Sequence, residues 1–391
     1  MAINNQQSTF FYGEKEKKMR RYFRLGGFII ALMASLYISN RAGAITIATV
    51  ATSADHIQST SMALDSQDYP HIAYRDFATP GLRHAFWDGT AWQTETVDTV
   101  GTSCGQSASL AIDASDNLHI GYRRDNDIRY ATNSSGSWTY EFVDTNSGIP
   151  YVSLALTTAG SPRIAAYSTH LIYATRGPSN WTIEDIRYGE NIYPSLAFDS
   201  SDNPFVAYQR SGEGLLCADK LGGSWASTSV HSGNVGRYAS LAIADDGTRY
   251  IAYYDSYDLW LAIWNGSSWS YSVVDDGGPA DNRVGQECSL ALDSAGNPHI
   301  SYWDYTAADL KYAFWTGSVW DISIIDGLTS SVGRYSSILV DPNGNPQFSY
   351  ASFDPPGDLY WAGTWVVIPE PASGLGLLTL ALLTFYRIRL K

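Results

Sequence analysis

The chain has 391 residues, with 39 acidic side chains against 25 basic ones and a formal net charge of −14. Its 45% hydrophobic and 14% aromatic content is enough for a large core. So acidic a chain lacks the clustered cations that nucleic-acid phosphates or an anionic membrane surface require, and three cysteines cannot build a disulfide framework.

Residues 1–44 read as an export leader. Lys17, Lys18, Arg20, Arg21 and Arg24 precede an apolar run over 25–38, and Ala42-Gly43-Ala44 follows as a small-x-small cleavage site with Ala42 and Ala44 at its two recognition positions. Counted from Met19 the leader has an ordinary length, so residues 1–18 read as an extension upstream of the true start. The alternative is a retained N-terminal anchor.

Residues 45–368 are a repeat. A Ser followed by an apolar residue recurs at Ser61, Ser109, Ser153, Ser195, Ser240, Ser289 and Ser337, 42 to 49 residues apart. Each copy holds four short runs that alternate apolar and polar residues, best seen in 289–326 (SLALD, NPHISYWD, DLKYAFW, VWDISIID). Seven copies of four strands predict an all-β, seven-bladed β-propeller of four-stranded antiparallel blades. The second strand always carries a Tyr (74, 122, 167, 208, 253, 302, 350) and the third an Ala (85, 131, 174, 218, 262, 313, 362). The fourth opens on a Trp (92, 138, 181, 225, 269, 320, 365). These twenty-one positions are expected in the core: Ala for close approach of twisted sheets, Trp for the wedge that opens outward between them. The segment 45–50 looks like an outer strand without a blade, and the seventh copy ends in a stunted Trp365-Val-Val-Ile368. Pairing these two ends in one blade would close the ring. Asp-x-x-(Gly/Asp)-Asn-Pro, as at Asp293–Pro298 and Asp199–Pro204, marks the first turn of a blade. The Asp-Gly-x-x-Trp at Asp88 to Trp92 resembles the tail of the Asp-box hairpin of sialidase-type propellers, without the box's leading Ser-x-Asp.

The tail, 369–391, has three parts: Pro369-Glu370-Pro371, a largely apolar run over 372–386, and the basic end Arg387, Arg389, Lys391. It resembles the PEP-CTERM sorting signal of Gram-negative bacteria. That resemblance implies Sec-dependent export, transient inner-membrane anchoring by a short helix, and processing by an exosortase, a membrane enzyme linked to exopolysaccharide production. The cell surface or extracellular matrix would be the destination.

Without its basic ends the repeat region is more acidic still and keeps only two lysines, Lys220 and Lys311. Cys104, Cys217 and Cys288 fall in different copies, and no structural disulfide is expected. No Cys/His pair has zinc spacing, and no cofactor is expected; the Asp surplus permits calcium, but no Asp-x-Asp-x-Asp-Gly loop is present. A monomer is expected.

Loops leading into the inner strands and loops joining second to third strands share one face of a propeller. They bring Arg75, Asp76, Arg124, Asp125, Arg237, Tyr254, Asp255, Trp303, Asp304, Tyr305 and Arg334 to that face. Aromatic platforms beside planar hydrogen-bonding groups suit a polysaccharide or a surface protein. The same Asp and Arg equally suit loop caps and ion pairs with one another. A sialidase-like enzyme would need an arginine triad, a Tyr/Glu nucleophilic pair and an acid. Arginines and Glu190, Glu213 and Glu287 are present, but no residue set stands out from the repeat as one catalytic centre would. Three functions therefore remain open: a non-catalytic carbohydrate- or protein-binding module, a glycan-cleaving enzyme, and a purely structural matrix protein.

Overall fold

The computed structural model describes residues 45–364 apart from 146–150, 168, 279–281, 328–330 and 354–356. Seven four-stranded antiparallel sheets follow one another in chain order. Blades one to six span 57–98, 106–145, 152–188, 191–232, 237–275 and 286–326. Blade seven takes three strands from 334–363, and its outer strand, Thr46–Ser53, comes from the start of the domain. There Thr46 stands opposite Gly363 and Ser53 opposite Gly357. The inner strands neighbour one another in order, and the first also meets the last.

The anchor serine joins the blades. In every blade its Oγ accepts the backbone N–H of the residue after the anchor serine in the next blade: Ser61 from Leu110 (2.9 Å), Ser109 from Leu154 (2.9 Å), Ser153 from Leu196 (3.0 Å), Ser195 from Leu241 (2.9 Å), Ser240 from Leu290 (3.0 Å) and Ser289 from Ile338 (3.2 Å). Ser337 accepts from Met62 at 3.2 Å and completes the circle. An inner strand has one ladder partner in its own sheet, so its outward N–H would be orphaned without this bond.

The alanines of the third strands are all fully buried, as expected where adjacent sheets approach most closely. Six of the seven repeat tyrosines are buried, and Tyr167 is partly exposed. At four junctions the tyrosine hydroxyl is latched to the outer strand of the preceding blade: Tyr122 to Asp98 (2.7 Å), Tyr302 to Asp275 (2.6 Å), Tyr350 to Asp326 (2.8 Å) and Tyr253 to His231 Nδ1 (2.8 Å). The first turns are built as read: Asp293 Oδ1 accepts the N–H groups of Ala295 and Asn297, and Asp199 those of Ser201 and Asn203.

Two expectations need correction. The repeat tryptophans are not deep core: of the described ones only Trp181 is buried, and Trp92, Trp138, Trp225, Trp269 and Trp320 are partly exposed. They open edge strands with one side to solvent and lie as lids over clusters on which Trp138, Trp269, Trp320 and Trp225 pack. Blade seven's outer strand carries no Trp, because Thr46–Ser53 fills that place; Trp365 to Ile368, and residues 1–44 and 369–391 on which the leader and sorting-signal readings fall, lie outside the described residues. The three cysteines sit apart, free and buried, and burial pushes each thiol up to about 12, which makes them poor nucleophiles.

Candidate functional site at the channel mouth

Six of the seven inner strands break register just before the anchor serine, for example between Arg237 and Ser240 and between Gln286 and Ser289. Such a bulge re-aims a side chain. The residue two before the serine then has positive φ: Ser59 (58°), Ser107 (50°), Tyr193 (55°), Tyr238 (56°), Glu287 (51°) and Tyr335 (54°). Left-handed backbone is costly for residues with a Cβ, and here it recurs around one ring. With Tyr151 of blade three, these side chains line a cavity of ≈ 480 Å³ to which every blade contributes. In blades two, five, six and seven a glycine, Gly105, Gly236, Gly285 or Gly333, leads into the bulge where the chain passes close to the preceding blade; Ile57 and Asn191 hold that place in blades one and four. A Cβ on Gly285 would lie 2.6 Å from Leu259 Cα, and one on Gly333 2.7 Å from Leu310 Cα.

The ring is uneven. Blades one and two offer Ser59 and Ser107 with Gln58 and Gln106. Blades three to five offer a wall of tyrosines, with ring centroids 4.5 Å apart for Tyr151–Tyr193 and 4.7 Å for Tyr193–Tyr238. Their hydroxyls are hydrogen-bonded in sequence. Burial pushes Tyr193, Tyr238 and Tyr335 up to about 12 and Tyr151 up as well, so all four remain O–H groups at neutral pH. Glu287 is the one carboxylate among the described residues lining this mouth. It accepts from Arg334 Nη2 at 2.6 Å, Arg334 Nε at 3.4 Å and the Tyr335 N–H at 2.6 Å. Arg334 is in turn surrounded by aromatic rings, 4.7 Å from Trp303, 4.8 Å from Tyr335 and 4.9 Å from Phe353.

The residues singled out from the sequence divide into three groups. Asp76, Asp125 and Asp304 cap their own or adjoining loops: Asp76 holds Ser53 Oγ and the Ala78 N–H, Asp125 the N–H groups of Thr102 and Ser103, Asp304 those of Thr306 and Ala307. Arg124 pairs with Asp98 at 3.3 Å. Arg75 is 4% exposed, stacks on Phe77 at 3.7 Å and donates to Thr102 O, and its Nε and Nη1 have no protein partner. The second group meets at blades six and seven: Trp303, Arg334 and Tyr305, the last edge-on to Trp303 at 5.0 Å. Trp303 is 7% exposed and belongs to the strand Pro298–Asp304, so it backs the mouth instead of projecting from a loop. The third group, Arg237, Tyr254 and Asp255, lines a separate cleft on the same face.

Sequence reading brought the loops leading into the inner strands to this face and named Glu287, but it did not single out the ring position or include Tyr151 and Tyr193. Tyr151, Tyr193, Tyr238, Tyr335 and Glu287 occupy one repeat position, and Glu287 is its single acid, so one residue does stand out from the repeat. The available signal was the frame Gly-x-x-x-Ser, as in Gly236 to Ser240 and Gly285 to Ser289, with the ring residue at its third place.

No family model matches the chain, and no curated protein sequence matches it. Solved structures do match in fold, and they define the class as β-propeller. A streptogramin B lyase superposes with a TM-score of 0.57 at 8% identity, over 81% of this chain and 97% of that one. An Aleuria aurantia lectin mutant in complex with Fucα1-6GlcNAc gives 0.51 at 13% identity, over 72% and 99%. The polysaccharide lyase Uly1 gives 0.51 at 8% identity, over 78% and 90%. At these identities the likeness is one of fold alone.

Proposed function

We propose that the propeller is a non-catalytic carbohydrate-binding module whose site is the channel mouth. The observation that carries this reading is the tyrosine wall: four half-buried rings, kept as O–H donors, beside the Glu287–Arg334 pair in one cavity. Tyrosine faces pack on the C–H surfaces of sugar rings, and fixed hydroxyl, amide and guanidinium groups read their hydroxyls. Most glycosidases use two carboxyl groups flanking the bond, and a sialidase-like centre would need an acid besides its Tyr/Glu pair; Glu287 is alone among the described lining residues and is already held by Arg334. That a sugar-bound lectin and a polysaccharide lyase share the fold adds support. The test is a glycan array probed with the full chain and with Tyr193→Ala, alongside an assay for sugar release. Binding without release, lost in Tyr193→Ala, supports the proposal. Release that is abolished by Glu287→Gln replaces it with the glycan-cleaving reading, and silence in both assays leaves the structural one.

For the ends of the chain the proposal rests on sequence. The leader with Ala42 and Ala44 at its cleavage site exports the chain by the Sec route. Pro369-Glu370-Pro371, the apolar run and Arg387, Arg389 and Lys391 hold it briefly in the inner membrane for an exosortase that delivers it to the surface or matrix. Intact mass of protein recovered from the cell surface decides this: a species still carrying 387–391 rules processing out.

A further inference from the structure

One residue outward from the mouth, blade five carries a second concavity that the mouth does not use. Tyr238 lines the mouth, and its chain neighbour Arg237 lines a cleft of ≈ 340 Å³ with Asn234, Tyr254, Asp255, Ser256 and Tyr257. Their Cα atoms are about 3.8 Å apart, so the mouth and the cleft open beside one strand of blade five.

The cleft's outer wall is built against local preference. Ser256 and Tyr257 form the two-residue connection between the strands Arg249–Asp255 and Asp258–Trp264, with φ of 50° and 80°. This mirror-image turn calls for Asn-Gly or Gly-Gly. Left-handed backbone is unfavourable for a bulky aromatic at its second place, and burial does not offset it, because Tyr257 is 47% exposed. Violations of a local rule without a packing gain concentrate at functional sites. What the turn achieves is display: Arg283 Cζ stands 4.8 Å from the Tyr257 ring centroid and 5.4 Å from that of Tyr305, also 47% exposed. The backbone fixes this arrangement. Val284 N–H donates to Tyr257 O, Arg283 N–H to Thr306 Oγ1 and Tyr305 N–H to Arg283 O, each at 2.8 Å.

The charge of the cleft points to the ligand. Arginines paired with carboxylates in this domain include 124, 129, 176, 187, 210 and 334. Arg237 and Arg283 are exposed and form no ion pair among the described residues. In a domain with so large an acidic excess, Arg237 in the cleft wall and Arg283 beside it on the Tyr257 ring, both without an ion pair among the described residues, offer two guanidiniums to an anion. We propose that the cleft is a second subsite, taking an acidic sugar unit of the same oligosaccharide whose neighbouring unit sits in the mouth. This deepens the carbohydrate reading and rests on it. Tyr257 and Tyr305 present rings to the sugar, Arg237 and Arg283 hold its carboxylate or sulfate, and Asp255 accepts from its hydroxyls.

The test is calorimetric titration of the full chain with galacturonic acid, its linear trimer and the methyl-esterified trimer. The trimer should bind at least about tenfold more tightly than the monomer or the ester. Tyr257→Gly relieves the turn, so this variant should melt at or above the wild-type temperature. Both it and Arg237→Ala/Arg283→Ala should lower trimer affinity at least about tenfold and abolish the preference for the trimer over its methyl ester, while binding of neutral glycans at the mouth stays unchanged. Equal binding of monomer and trimer by the wild type, or a trimer preference that survives both variants, overturns the second subsite. No binding of either acid also overturns it, and the mouth reading falls with it only if neutral glycans are silent as well.

Discussion

Trp303 and Trp320 show how little a tryptophan's recurrence says about its depth. Trp303 is buried behind the mouth with Arg334 against its face, while Trp320 is a partly exposed lid at the start of an edge strand. Trp303→Ala should therefore cost about 3–5 kcal/mol, the range for a buried large aromatic. Trp320→Ala should cost less, about 2–3 kcal/mol, since part of its surface already faces water. Urea titrations with a common m-value will measure both; equal losses would contradict the burial described above. A second residue-scale expectation concerns His71. Its Nδ1 lies 2.9 Å from His84 Nε2, His84 Nδ1 lies 2.9 Å from Glu95 Oε1, and Asp65 stands 3.5 Å away on the other side, with Asp116 beyond. Burial first, and then the neighbouring His84, lower His71 from 6.5 to about 4 despite those carboxylates. The unfolded chain takes up this proton near pH 6.5 and the folded one only near pH 4. The stability from neutral His71 is thus intact above 6.5 and lost as pH falls through that window, by up to about 3 kcal/mol. Buried His119 and His299, lowered in the same sense, add to the slope. Thermal melts at pH 7, 5.5 and 4 should show it, and His71→Gln should flatten it; an unchanged slope in that variant would assign the effect elsewhere.

The inner strand is the element on which stability and site meet, because one short segment supplies both the anchor serine and the ring residue two places before it. Ser240→Ala takes the acceptor from the Leu290 N–H at a junction that admits little water, and should cost about 1–3 kcal/mol. Ser61, Ser153 and Ser289 should behave alike, and a neutral result at all of them would show that water replaces the bond. The same segment marks what could be read from sequence and what could not. The serine, tyrosine and alanine were legible because their environments are the same in every blade, so one residue type fits all seven. The ring position was not, since what repeats there is a backbone conformation: Ser, Tyr and Glu all occupy it, and left-handed geometry leaves no mark on composition beyond the glycine two residues earlier in blades two, five, six and seven. Of the loop residues expected on one shared face, Arg237, Tyr254 and Asp255 line one cleft, whereas Arg75 and Arg124 turn into the seam between blades, a difference that loop position alone does not encode. The clasp was legible too, because 45–50 reads as an outer strand without a blade of its own, and Thr46–Ser53 does pair with Gly357–Gly363 to complete blade seven. What the repeat count put at that place instead was Trp365, and the strand that closes blade seven has no tryptophan.

For the whole molecule, that clasp makes the ring depend on its first strand. Deleting 45–53 would expose the full edge of the strand Gly357–Gly363, whose partner it is. The truncated chain should melt at a lower temperature and associate through the bared edge. A melting temperature equal to that of the intact chain would mean that the ring does not need its clasp.

The clasp also decides how the domain bears tension. Thr46 and Gly363 are partners, so the domain's two ends leave from the same corner of blade seven. Pulled apart from that corner, the ladder between them loads one hydrogen bond at a time and peels open, as a zip does, at low force. A chain held at its C-terminal end alone meets drag differently, because force entering at Gly363 passes to the ladder with Pro346–Ala351 and spares the peeling seam. Under the proposed export route, cleavage after Ala44 would remove the second grip that lets the ring be unzipped. Stretching the domain between its two ends, and again between its C-terminal end and a handle in blade four, should separate the two modes, with the first opening at clearly lower force.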